Sequence, residues 1–347
     1  MQLPASVFLL SASALAYEII VIRILALTHW QPFVTLSVST ALLGFGLAGS
    51  LLTWFGEKAF ENRHIIYPVA SLLAAISFRP AVWSAAALHL EPGLIFRDLY
   101  QWILLSGLVV VLTVPFFLIS FCLALPLLEQ STVGKYYGWN LAGACGGVVF
   151  ALAGMAIFPP ERLALIPTGT AALGSLLAIS HYRLKRSWLW VLTIGFAVIL
   201  AIPSGALKYG PYKDISYSML LPEASIMARS WGPDGLLEVV SAPSLRTAPG
   251  LSTRYKGLVP RQAVLYRDGD RSGILTLPAE EGPSPDYPVW QTAAAPYFFL
   301  TEIGKVTVLG FDGGEEVMRA IMGGALKVDV VEADRASIAL LKKTETL

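Results

Sequence analysis

Apolar residues run almost unbroken through the first 206 positions and then give way to short alternating runs. A membrane-crossing helix needs about 20 mostly apolar residues. Seven stretches meet that length: 4–27, 32–55, 65–88, 102–128, 136–158, 162–180 and 187–206. Arg79-Pro80 interrupts the third, which reads as a kinked helix or as a helix followed by a surface segment. The opening residues look like a signal peptide, yet they lack a basic start and the apolar run continues to Leu27, so a retained helix is expected. Pro115 is expected to kink span four, and Asn140 to open span five as a cap or with a bond across helices. Gly44, Gly46 and Gly49, and Gly143, Ala144, Gly146 and Gly147, form small-residue faces that let backbones approach.

From residue 208 onward Pro, Gly, Ser and charged residues return. Gly235–Ser241, Ala263–Tyr266 and Ser272–Leu277 read as strands, with Arg267-Asp268-Gly269-Asp270 as a hairpin turn. Residues 243–260 and 278–288 read as loops, and Val289–Leu300 as a helix broken or bent at Pro296. Lys305–Leu309 is a β-branched run that predicts a buried strand. Gly310-Phe311-Asp312-Gly313-Gly314 is a glycine-rich turn. Glu315–Met322 has helical spacing, with Val317, Met318 and Ile321 on one face and acids in its first turn, and Gly323-Gly324 ends it. Val328–Val331 is a second strand delivering Glu332. The pattern is one βαβ unit of a nucleotide-binding type, in which a turn and a helix N-terminus meet a ligand and the acid meets a ribose. An ordinary βαβ unit, with glycines chosen only for the turn, gives the same pattern.

The expected fold is a multi-pass α-helical membrane bundle of about seven spans (1–207), then a small β-rich region (208–304), then an incomplete Rossmann-like α/β unit (305–347). The last residue, Leu347, falls in the helix after the second strand. The sheet is therefore expected to be completed by another chain, left disordered, or truncated.

Composition agrees with the membrane reading. The chain is 55% hydrophobic and 14% charged, against about 25% charged in ordinary soluble domains. A net charge of +1 gives no global field that favours nucleic acid. Cys122 and Cys145 lie in apolar stretches without a CxxC, and read as small residues packed between helices. His29, His64, His89 and His181 lack metal-ligand spacing to one another, so no metal is expected. Lys58, Arg63, Lys135, Arg183, Lys185 and Arg186 lie in loops on one side, Arg97 and Arg162 on the other. The positive-inside rule then predicts a cytoplasmic N-terminus in the inner membrane and residues 208–347 outside. Within span one, Glu18 and Arg23 are ionisable groups in an expensive place. They read as a binding or relay site or, preferably, as a clamp between helices.

Several segments in a shared order carry a resemblance. In the first half they are Tyr17-Glu18 with Arg23, Leu43 through Ser50, Pro115-Phe116-Phe117, and Tyr137, Asn140, Gly143, Ala144 and Gly147. In the second half they are Tyr212 through Tyr217, Ala248 through Ser252, Asp268-Gly269-Asp270, Asp286-Tyr287, and Val308 through Glu332. With these the chain resembles the membrane-fused spermidine-synthase-like family, in which a polytopic membrane domain precedes a domain similar to aminopropyltransferases and S-adenosylmethionine-dependent methyltransferases. The resemblance implies that Gly310, Asp312, Gly313 and Gly314 hold the amino-acid part of S-adenosylmethionine or its decarboxylated form. It implies Glu332 on the ribose hydroxyls and Asp268 at the border of the pocket. The family's glycine run is denser, and Asp312 puts a side chain and a negative charge beside the expected ligand. The family's catalytic acid follows a later strand that this chain does not contain, so no catalytic residue is assigned. The expectation is an integral membrane protein derived from an aminopropyl or methyl transferase and inactive as this single chain. Its expected partners are the lipid bilayer and other protein chains, not nucleic acid. The alternatives are a non-catalytic scaffold subunit of a membrane complex and, with less support, a small-molecule transporter.

Overall fold

The computed structural model describes residues 2–129, 131–183, 195, 208–277, 286–300 and 302–344. The chain divides into two compact units, Met1–Gly210 and Pro211–Leu347.

The first unit is helical: α1 (Gln2–Thr28), α2 (Leu36–Glu61), α3 (Arg63–Ala87), α4 (Leu99–Ala124), α5 (Val133–Ile157) and α6 (Leu165–His181). With the short 3₁₀ turns at their ends, these give six segments long and apolar enough to cross a membrane. By length and composition this is a multi-pass membrane protein. The seventh candidate, 187–206, lies outside the described residues except for Gly195. Arg79-Pro80 does not end the third span, because α3 runs through both Pro68 and Pro80.

Helix α1 packs against α3, α4, α5 and α6. Glycine makes the α1–α5 seam possible. A Cβ on Gly143 would lie 2.3 Å from the Phe8 carbonyl oxygen, and one on Gly147 2.2 Å from that of Ala12. Gly46 and Gly49, expected to serve similarly, face open space; in α2 it is Gly44 that meets Phe116. Several polar groups in the bundle find internal acceptors, as a medium without water favours. Ser6 Oγ donates to the Gly174 carbonyl at 2.7 Å. Tyr17 is packed by Phe78 and Phe116 and donates to the Leu112 carbonyl at 3.2 Å. Asn140 lies inside α5 rather than at its start, and its carbonyl accepts from Ser11 Oγ. Cys122 is buried as expected, whereas Cys145 is exposed. Glu18 accepts from Ser37 Oγ through its backbone carbonyl at 3.2 Å, a bond between α1 and α2.

The second unit opens with α7 (Asp214–Met219) and a four-stranded antiparallel sheet in sequential order: β1 (Ser225–Gly232), β2 (Gly235–Ser241), β3 (Gln262–Arg267) and β4 (Asp270–Thr276). The β-branched runs of β2 and β3 are buried on both faces. On one face Leu237, Val239, Ala263 and Leu265 pack with Leu340 of α10 (Arg335–Thr344). On the other, Tyr266 shares a 2.5 Å hydrogen bond with Ser218 of α7. Strand β1 had no sequence signal, because the edge segment SIMARSWG neither alternates nor is fully buried.

Residues 289–300 do not form the one helix, broken or bent at Pro296, that their spacing predicts. They fall in two 3₁₀ turns, Tyr287–Trp290 and Thr292–Ala294, and then the short helix α8 (Ala295–Phe299). Pro296 has no N–H to donate back to Thr292, but is tolerated in a first turn, so the helix starts there instead of bending. Next, β5 (Lys305–Leu309), α9 (Glu315–Met322) and β6 (Lys327–Val331) form a crossover in which β5 and β6 pair in parallel, Val308 beside Val330. One expectation fails here. β5 is not a buried strand, because only Val308 in it is buried. Helix α9 turns Glu315, Arg319 and Ala320 inward and leaves Ile321 60% exposed.

Candidate functional site

The glycine-rich turn follows β5 as expected. Gly310, Gly313 and Gly314 have φ of +85°, +85° and +88°, the left-handed region that glycine enters freely. Asp312 has φ +38°, in a region where aspartate is among the better tolerated side chains. The turn lies directly on β4. A Cβ on Gly313 would meet the Ile274 carbonyl oxygen at 2.3 Å, and one on Gly273 the Asp312 carbonyl oxygen at 2.1 Å. The Ile274 N–H donates to that same Asp312 oxygen at 3.2 Å. Any side chain at either position would prise the turn off the strand.

Beside the turn is a cavity of about 310 Å³. Its lining runs from Val308, Leu309 and Gly310 through Phe311 and Asp312 to Arg271–Ile274 and Pro249, closed by Glu315, Glu316 and Arg319. Three acids and two arginines face it. One arginine is neutralised in place. Arg319 Nη2 lies 3.0 Å from Glu315 Oε2, and Nη1 pairs with Glu316. Its guanidinium also donates to Gln291 Oε1 at 3.1 and 2.6 Å. Glu315 Oε1 accepts from the buried Tyr287 hydroxyl at 2.7 Å. That hydroxyl in turn takes a bond from Gln262 Nε2 at 2.9 Å and contacts Thr276 Oγ1 at 2.7 Å. Burial, together with the adjoining Glu315 carboxylate, pushes the Tyr287 phenol up to about 12. The result is a buried polar clamp tying β3, β4, the 287–291 turns and the first turn of α9. In it, Gln291 Nε2 is buried without a partner among the described residues.

The structure brings Gly310 and Asp312 to the cavity, with Gly313 packed on β4. Glu332 ends β6 as expected, but both carboxylate oxygens accept backbone N–H groups. Oε2 takes Phe311 N at 2.9 Å and Oε1 takes Asp334 N at 2.8 Å. Glu332 thus holds the glycine turn to the loop before α10, and it is not part of the cavity lining. Asp268 has φ +51° in the β3–β4 turn. Its Oδ1 accepts Leu236 N at 2.9 Å, and its own N–H donates to the Leu236 carbonyl at 2.8 Å. It stitches two hairpins together and also lies outside the cavity lining. No group of metal-ligating side chains occurs among the described residues.

Sequence reading missed Arg319, Gln291 and Gln262. The available signal was the spacing of Glu315 and Arg319, four residues apart on a helix and so on one face. The apolar periodicity of Val317, Met318 and Ile321 drew the reading to another face of the helix. No protein-family model matches the chain, and neither a curated protein nor a solved structure matches it.

Proposed function

We propose that the chain is a membrane protein of the spermidine-synthase-like kind, derived from an adenosyl-cofactor-dependent transferase, whose glycine turn now serves the fold more than a ligand. In this reading β5, α9 and β6 are the first βαβ of a Rossmann-like domain. The observation that carries it is Glu332, whose two oxygens each accept a backbone N–H at 2.8–2.9 Å. Glu315 and Glu316 support it, because both are paired with Arg319. The carboxylates of Glu332, Glu315 and Glu316 are committed to internal partners. The acids around the turn also disfavour the carboxylate of S-adenosylmethionine relative to its decarboxylated form. The test is titration of the full chain in nanodiscs with both cofactors. The expected result is no saturable binding at micromolar concentration. Micromolar binding that disappears in Asp312→Ala would restore the enzyme reading.

One observation favours a scaffold role in a membrane complex as the second reading. Leu309, Val331, Phe298 and Phe299 are exposed apolar side chains of one small unit, and exposed apolar surface of this kind marks contact sites. Co-purification of a defined partner that is lost in Leu309→Asp would support it.

A further inference from the structure

The segment that follows the first unit carries an apolar surface that the clamp and cavity leave unused. Gly210 lies against the last carbonyl of α1, since a Cβ there would sit 2.4 Å from the Thr28 oxygen. Thr28 ends a helix long and apolar enough to cross a membrane, so the chain leaves the first unit at the end of a span. Exposed aromatics mark that end. Trp30, two residues past the end of α1, is exposed. Thr28 Oγ1 donates to the Ala85 carbonyl at 3.3 Å, so the α3–α4 connection lies at the same end, with Phe96 and then Tyr100 and Trp102 exposed. Aromatic rings with a polar edge collect at the headgroup level of a bilayer.

In the next ten residues the side chains sort into two sets. Lys213, Ile215 and Ser218 turn inward, with Lys213 Nζ 2.7 Å from Asp270 Oδ2. Tyr212, Tyr217 and Leu220 turn outward, Tyr217 at 61% and Leu220 at 82% exposure. Ten residues reach at most about 35 Å when extended, and Asp214–Met219 is helical, which shortens the path. The chain itself therefore holds these side chains within reach of the membrane surface.

We propose that Tyr212, Tyr217 and Leu220 form a membrane-docking surface seated at the headgroup–acyl boundary. A lipid surface is the occupant because the segment continues from a span end, and because two tyrosines beside a leucine suit an interface that is apolar on one side and wet on the other. The experiment is spin labelling of the full chain in phosphatidylcholine–phosphatidylglycerol vesicles, in a Cys122→Ala, Cys145→Ser background. Labels go at Tyr217→Cys and Leu220→Cys, with Val149→Cys on the exposed face of α5 and Leu258→Cys on an exposed loop as references. Oxygen partitions into lipid and a nickel chelate into water. The expected result is an oxygen-to-nickel accessibility ratio at 217 and 220 several-fold above that at 258, approaching that at 149. A ratio equal to that at 258 overturns the proposal. Shielding from both relaxants, the mark of a protein partner or a second copy, overturns it as well. Tyr212→Cys repeats the test should either label disturb α7.

Discussion

The second unit holds two sheets in different ways. In the antiparallel sheet, β2 and β3 are buried along almost their whole length, and α10 seals one face through Leu340. In the parallel pair, Val308 alone among the residues of β5 and β6 is buried, and Leu309 is 78% exposed. What the parallel pair lacks in apolar burial it has in polar clamps: Glu332 on two backbone N–H groups, and Arg319 among Glu315, Glu316 and Gln291. Burial stabilises in proportion to area, at about 25 cal/mol per Å². A buried, satisfied polar network adds less on balance but costs heavily when one member is removed. The two sheets should therefore fail differently.

The largest effect is expected from Arg319→Ala. It leaves Glu315 buried without its cation, a loss of about 3–5 kcal/mol, read as faster amide exchange across 305–334 with the four-stranded sheet unchanged. Leu237→Ala attacks the other sheet. Truncating a leucine in that core costs about 2–5 kcal/mol and should loosen β2 and β3 together, since the same cluster spans both. Equal loosening of both sheets by either variant would dissolve the distinction.

Glu332→Ala removes the acceptor for two backbone donors, an expected cost of about 1–3 kcal/mol. Faster exchange should appear first at the Phe311 and Asp334 amides. A smaller and pH-dependent effect belongs to Asp334. Burial alone would raise its carboxyl. Bonds from Ala336 N and Ser337 Oγ, with Arg267 3.1 Å away, outweigh that and hold it below the usual aspartate range. A depressed folded-state value means stability that is present above the unfolded value, about 3.9, and lost as pH falls through the folded one. Asp334→Asn should therefore be less stable than the parent at pH 7 and converge with it in acid denaturation. A gap that persists at low pH would rule out the charge as the cause. Least of all should Leu309→Ala matter, at under about 0.5 kcal/mol for so exposed a side chain. A larger loss would mean that something covers it.

Much of this unit was legible from local pattern. The β-branched runs marked β2, β3, β5 and β6, and the glycine run marked the turn before α9. Burial was not legible for β5, because a strand's pattern tells what it tends to pair with, and not whether a neighbour lies over it. The inner face of α9 was not legible for a related reason. Val317, Met318 and Ile321 have the period of a core stripe, yet Tyr287 and Gln291 offered polar partners to the opposite face, and Glu315 and Arg319 took them. Glu332 was placed correctly at the end of β6. Its bonding partners depend on the turn conformation at Phe311, which no spacing rule supplies. In the membrane unit, span lengths followed from apolar runs, whereas the glycines that meet a backbone (Gly143 and Gly147, but not Gly46 or Gly49) depend on which helix arrives opposite.

The most direct measurement is a thermal melt of the full chain in nanodiscs, followed through the soluble unit, for the parent and Glu332→Ala, each with and without decarboxylated S-adenosylmethionine. If Glu332 serves the turn, the variant melts lower, by about 2–8 °C for each kcal/mol lost, and the cofactor moves neither midpoint. If the cofactor raises the parent's midpoint while Glu332→Ala alone melts like the parent, Glu332 is a ligand-binding residue and its role as a brace for the glycine turn is contradicted.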